Sequence, residues 1–125
     1  MVINMYHAIP SRGGHDLHYL MQHEIDKLTP TIVIGDFNTH AHRWSLPGRA
    51  PSSWGVELEE WLDQNGLQAM NPDRVPTWVG SREGDHPSII DLAFTNEATI
   101  FTNQLSPLDV SLGESLGSDH ATLLF

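Results

Sequence analysis

Three short stretches carry side chains able to do acid–base or ion-binding chemistry: "GDFN" (Gly35 to Asn38), "IIDLAF" (Ile89 to Phe94) and "GSDH" (Gly117 to His120). The first ends an apolar, partly β-branched run, "TIVI". In extended backbone, residues two apart point the same way, so Asp36 and Asn38 project together while Phe37 turns back toward the interior. A carboxylate there can bind a cation or orient a water, and the neighbouring amide can donate to an oxyanion. Strand ends in α/β proteins favour such groups. Gly35 permits a bend or the close approach of a ligand. Taken alone, a Gly-Asp pair is more often an Asx turn that closes a strand.

Asp91 interrupts an apolar strand and has Ile90, Leu92 and Phe94 on the opposite face. A carboxylate in such a place loses solvation unless something pairs with it. Histidine is a natural partner, because a carboxylate fixes its tautomer and stabilises its charged form. The bland alternative is a strand whose second face is wet. Asp119 and His120 follow a Gly-Ser turn at the mouth of the final strand, where one can face a cation and the other a substrate oxygen. By itself, Ser-Asp is ordinary turn chemistry.

The elements that must position these groups are legible in outline. Val2 to Tyr6 reads as a strand, ended by Pro10 and the "SRGG" turn (Ser11 to Gly14). Leu17, Leu20, Met21, Ile25 and Leu28 share one face of a helix over residues 15–28, stopped by Pro30. "TIVIG" is a buried strand, and Asn38 to Ser53 a polar loop. Trp54, Leu58, Trp61 and Leu62 then fall at helical spacing, with Ser52 or Ser53 as cap and Gly66 at the left-handed end. That spacing assigns Trp54 and Trp61 to the core rather than to base stacking. "LQAM", "IIDLAF" and "ATLLF" read as strands, "IFTNQL" (Ile100 to Leu105) as a further one, and "VPTWVGSREGDHPS" as a long turn region. Strands alternating with helices indicate an α/β or α+β layered domain.

A length of 125 residues and a 39% hydrophobic content suit one globular domain. No apolar run approaches the roughly 20 residues that span a bilayer. The amino-terminal stretch lacks the basic region of a secretory signal. A soluble, intracellular, non-secreted protein with no membrane partner is therefore expected. The absence of Cys excludes disulfides, thiolate metal sites and a cysteine nucleophile, and it fits an intracellular setting. The formal charge of -10, from 6 Lys+Arg against 16 Asp+Glu, argues against a broad electrostatic grip on nucleic acid. It leaves room for a site in which a cation bridges carboxylates and a phosphate. Arg43, Arg49, Arg74 and Arg82 all fall in loops and can supply phosphate contacts. His40 and His42, or His15, His18 and His23, are poor zinc candidates, because zinc usually takes four protein ligands, or three and a water. His15 and His18 are expected on the wet face of the first helix.

"GDFN", the segment from Ser52 to Asn71, "PTW" (Pro76 to Trp78), "IIDLAF" and "GSDH", in this order, resemble the exonuclease-endonuclease-phosphatase superfamily. The closest branch is the endonuclease domain of non-LTR retrotransposons, the type joined to a reverse transcriptase. "VINMYHAIP" is similar to that family's strand carrying a catalytic tyrosine, here Tyr6, and the resemblance runs from Val2 to His120. It implies a four-layered α/β sandwich that hydrolyses phosphodiester bonds of DNA with Mg²⁺ or Mn²⁺, in the nucleus if the origin is a retroelement. It further implies that Asp36 orients or deprotonates the attacking water and that Asn38 holds the phosphoryl oxygen. By the same resemblance His120, oriented by Asp91, stabilises charge on the phosphate. Asp119 with Asp36 would hold the metal, and Tyr6 would contact the phosphate or steady the site. His40 would lie on the substrate side, as would Trp78, which either stacks on a base or packs beneath its loop.

In that family an asparagine and a metal-binding glutamate come from strands upstream of the tyrosine strand, whereas only Met1 to Met5 precede Tyr6. Residues 1–125 are thus expected to form the second half of the domain, an incomplete sandwich. Its partner would be the upstream half-domain or the reverse transcriptase polypeptide. A half sandwich bares one inner sheet face, which invites self-association. Two other readings stay open: another phosphoesterase of the superfamily acting on a phospholipid or small phosphate ester, and a catalytically silent fragment.

Overall fold

Alternating apolar residues in the strands and helically spaced ones outside them meet on one face of a mixed sheet. The structure is a computed structural model and describes residues 1–8, 16–102, 105–113 and 117–125. Its elements run β1 (Val2–Tyr6), α1 (Asp16–Met21), β2 (Ile32–Asp36), α2 (Ser53–Asn65), β3 (Leu67–Ala69), β4 (Asp91–Asn96), α3 (Glu97–Phe101), β5 (Asp109–Ser111) and β6 (Thr122–Leu124). The main sheet has the order β1-β2-β4-β3, with β1 parallel to β2 and the other pairs antiparallel. β5 and β6 form a separate antiparallel pair.

Val33, Leu92 and Phe94 bury their side chains against Leu17 and Leu20 of α1 and Leu58, Trp61 and Leu62 of α2. Full burial of each such side chain is worth about 1.5–3 kcal/mol, enough for a few of them to hold both helices on the sheet. Phe94 meets Phe37 and Trp44 edge-to-face at 5.3 Å and 5.7 Å, the arrangement that ring quadrupoles favour. Phe37 thereby anchors the chain directly beside Asp36. Trp61 is buried and Trp54 packs half-buried against the same cluster, as their spacing predicts.

α2 forms where the sequence signals it. The Ser52 side chain accepts from the Gly55 amide, and Gly66 takes the left-handed conformation (φ 66°) while its N–H caps Asp63 and Leu62 carbonyls. The first helix is shorter than its periodicity predicts, ending at Met21. The buried Asn65 side chain captures the Ile25 amide at 2.6 Å. The Asp26 carboxylate takes the Leu28 amide and the Thr29 hydroxyl, so local side-chain acceptors outcompete the helical carbonyls. Ile25 still reaches the core, but Leu28 is 86% exposed. Within the stretch "IFTNQL", expected as a strand, Ile100 and Phe101 lie instead in α3, which Asn96 caps by accepting from the Thr99 amide. Asn103 and Gln104 lie outside the described residues, as do Pro10, the "SRGG" turn and His15. "IIDLAF" begins pairing only at Asp91 and continues to Asn96.

Candidate active site

The register places three side chains in a row. In β1–β2 pairing Tyr6 lies opposite Asp36, and in β2–β4 pairing Asp36 lies opposite Asp91. Directly opposed residues share a face, so Tyr6, Asp36 and Asp91 stand together on the side away from the helices. Gly35 makes this register possible. A Cβ there would lie 1.8 Å from the Met5 carbonyl oxygen, and its φ of +151° is one that other residues rarely adopt.

Asn38 follows at φ 43°, a left-handed conformation that Asn tolerates. Its backbone amide donates to Asp36 Oδ1 at 3.1 Å, and its side-chain Nδ2 donates to the His7 carbonyl at 2.9 Å. The Asx turn is thus formed, and β2 ends at Asp36 instead of extending through Asn38, so it is the turn and not strand alternation that leaves both residues on the cleft lining. The amide of Asn38 is held by β1's continuation and remains on the wall of the cleft.

His120 comes from outside the main sheet, from the segment just before β6. Its Nδ1 lies 3.1 Å and 2.9 Å from the two Asp91 oxygens. The carboxylate accepts the Nδ1 proton in this arrangement, which leaves Nε2 as the nitrogen available to the cleft. Two backbone ties set His120 there. Its residue bridges Trp78, and the Ser118 hydroxyl accepts its amide at 3.1 Å. Trp78 Nε1 donates to Asp119 Oδ2 at 2.9 Å, and Asp119 Oδ1 is 3.9 Å from His120 Nε2.

These groups surround a cleft of about 410 Å³ whose lining includes Tyr6, Asp36, Asn38, His40, Trp78 and His120. Asp91 lies behind His120, and Asp119 stands at the exposed edge beside Trp78 rather than on the lining. Ligand atoms of Asp36, Asp91 and His120 lie within 4.8 Å of one another, the one group among the described residues compact enough to hold a metal ion. His42 is exposed and outside this group.

Electrostatics follow from the row of carboxylates. Burial, and then the opposed Asp91, push the Asp36 carboxyl above its ordinary range, against the amides of Asn38 and the charge of His120. Burial likewise raises Asp91, against the hydrogen bond and charge of His120 and the hydroxyl of Thr77. For His120, burial alone would lower the pKa. The hydrogen bond to Asp91 and the fields of Asp91, Asp36 and Asp119 outweigh it and raise the imidazole instead. His40 is lowered by burial and then by Arg49.

Sequence reasoning did not single out Thr77, although "PTW" contains it. Its fully buried hydroxyl oxygen accepts the amides of Ile90 (3.0 Å) and Asp91 (2.9 Å), fixing the start of β4. Asn71 was likewise missed. It donates to the Asp91 carbonyl and accepts the Ala93 amide, standing in for a strand neighbour. Ser52 accepts from the His40 amide besides capping α2. A polar residue inside an apolar stretch was the available signal for Thr77, but its partner lay 13 residues away.

A mixed sheet that presents opposed carboxylates and a carboxylate-oriented imidazole at its strand ends defines an α/β protein with an acidic cleft suited to acid–base or ion-binding chemistry. The chain belongs to the endonuclease-reverse transcriptase family, which it matches over residues 1–124. Its fold is that of an endonuclease domain of the exonuclease-endonuclease-phosphatase type. It is similar to the endonuclease domain of TRAS1, a telomere-specific non-LTR retrotransposon, at 26% identity and a TM-score of 0.62. That match covers 74% of this chain and 41% of the TRAS1 domain chain, so this chain spans less than half of its relative. No curated protein matches the sequence. No helix among the described residues is long and apolar enough to cross a membrane.

Proposed function

We propose that this chain carries the hydrolytic centre of a retroelement DNA endonuclease domain that cuts phosphodiester bonds with Mg²⁺ or Mn²⁺. The observation that carries this reading is the convergence of Asp36, Asp91 and His120, whose ligand atoms lie within 4.8 Å of one another, with Asp36 and His120 on the cleft lining. The donor set fits a hard cation. Mg²⁺ keeps most of its waters and takes only one or two carboxylates. Asp91 is engaged by His120, so Asp36 is the carboxylate with capacity to hold the ion, and Asp119 adds negative charge at the edge. When bound, the ion would offset charge developing on the phosphate and lower the pKa of a water.

The remaining chemistry belongs to the side chains. Asp36, with its proton affinity raised by burial and by Asp91, orients an attacking water and takes its proton. His120, charged more readily because of Asp91, donates from Nε2 to the phosphate as negative charge grows there. Asp91 is the positioning residue of that pair. Asn38 holds a phosphoryl oxygen beside Asp36, and Tyr6 contacts the phosphate from the open lip. His40 and Trp78 face the substrate. DNA is the partner this reading implies, together with the upstream half-domain or the reverse transcriptase polypeptide, and the nucleus is the compartment.

Plasmid nicking tests the proposal, with Mg²⁺ and Mn²⁺ in parallel, on this chain and on a version extended upstream. Nicking should disappear in Asp36→Ala and His120→Ala. Hydrolysis confined to a soluble phosphate ester would replace the endonuclease reading with another phosphoesterase. Inactivity of both versions on every phosphoester would refute the hydrolytic reading altogether.

A further inference from the structure

The geometry points to Arg49 as the binding residue for a second phosphate of the nucleic-acid strand, one flanking the phosphate that is cut. This rests on the phosphodiesterase reading above and extends it to a subsite. Ser88 lines the catalytic cleft, and its Oγ accepts from Arg49 Nη2 at 2.9 Å. Beyond Ser88 lies an adjoining depression of about 360 Å³, lined by Leu46, Pro47, Gly48, Arg49, His86 and Pro87. The guanidinium therefore spans the boundary between the two hollows. A strand leaving the cleft past Ser88 crosses it.

Arg49 is also rigidly presented. Its amide donates to the Leu46 carbonyl at 3.2 Å, and Gly48 has φ 84°. Proline followed by a positive-φ glycine is the signature of a type II turn. A turn of this kind fixes the backbone from which the guanidinium extends. The partner that holds it is a hydroxyl, which carries no charge to offset that of the guanidinium. Arg43, in contrast, is held by both oxygens of Asp63 at 2.6 Å, and Arg74 lies 3.6 Å from Asp73. Arg49 lies near enough to His40, on the cleft lining, for its charge to help lower that imidazole. In a chain of net charge -10, a local cation beside the cleft is what distinguishes a phosphate path from a repulsive surface. Arg matches phosphate oxygens with a planar fork, which Lys cannot reproduce.

Binding of a fluorescently labelled DNA duplex, followed by anisotropy over a salt series, tests the subsite. Arg49→Gln should weaken binding about tenfold and flatten the slope of log affinity against log salt by about 0.9, the value of one lost phosphate contact. Arg49→Lys should recover the slope but only part of the affinity. Where nicking is measured, the loss should fall on KM rather than on kcat. A melting temperature unchanged from wild type separates this outcome from misfolding. Wild-type affinity and salt slope in Arg49→Gln, with Asp36→Ala still abolishing nicking, would overturn the subsite and leave the endonuclease standing. Failure of the unaltered chain to bind or cut any duplex would overturn both.

Discussion

Thr77→Val removes one buried oxygen while keeping the shape of the side chain. Thr77 is fully buried, and its hydroxyl oxygen accepts two amides, those of Ile90 and Asp91. Valine leaves both donors without that acceptor. A buried unsatisfied group costs about 1–3 kcal/mol, so two independent ones cost about 2–6 kcal/mol, and because these two share one acceptor the loss is roughly 2–4 kcal/mol. For a domain of this size about 4 °C of melting temperature accompanies each kcal/mol, giving a fall of roughly 8–16 °C. Urea denaturation with a thermal melt measures this directly. Thr77→Ser restores the oxygen and loses only a methyl group, so most of the stability should return. The site should respond too. The Thr77 hydroxyl lowers the Asp91 pKa, and without it Asp91 rises further. Asp91 must be ionised to support the His120 imidazolium, so the acid limb of any nicking profile should move to higher pH. A Val variant as stable as wild type, or a Ser variant as damaged as Val, would refute the reasoning.

Gly35→Ala should cost at least about 2 kcal/mol and abolish nicking, since its Cβ would lie 1.8 Å from the Met5 carbonyl oxygen and force β1 away from β2. Normal urea stability in that variant would show that the strands do not pack as described. Asp36→Asn should stabilise the fold at pH 7 while eliminating activity. The folded-state pKa of Asp36 is raised, so its favourable contribution is present below the unfolded pKa and is lost as pH rises through the folded one. The advantage of Asn should accordingly shrink toward pH 4 in urea titrations, and an advantage that grows on acidification would contradict the sign. Val2 and Tyr6, on the face of β1 away from the helices, are 70% and 68% exposed. Light scattering should therefore detect concentration-dependent self-association, and a monomer at every concentration would count against it.

The local chemistry was legible in the chain. Asp36 and Asn38 alternate around Phe37, Ser52 and Gly66 bracket a helix, and Asp91 breaks an apolar run; each signal lies within a few residues of its effect. Where local signals misled, a polar side chain had captured a backbone amide. Asn65 takes the Ile25 amide from 40 positions away, so a helical pattern that runs to Leu28 yields only six residues of helix. The strand expected at Ile100 and Phe101 became helical because Asn96, the last residue of β4, caps a helix start.

The sequence by itself determined which groups can carry acid–base and ion-binding chemistry, because residue type and short-range periodicity are covalent facts. Only the tertiary structure decided that Tyr6, Asp36 and Asp91 stand opposite one another and that His120 turns Nδ1 toward Asp91. It alone also placed Thr77 beneath Asp91 and Arg49 against Ser88. Strand register and loop crossings are settled by competition among contacts across the whole chain, and a carboxylate's affinity for a proton rises only once burial and its neighbours have shifted its pKa.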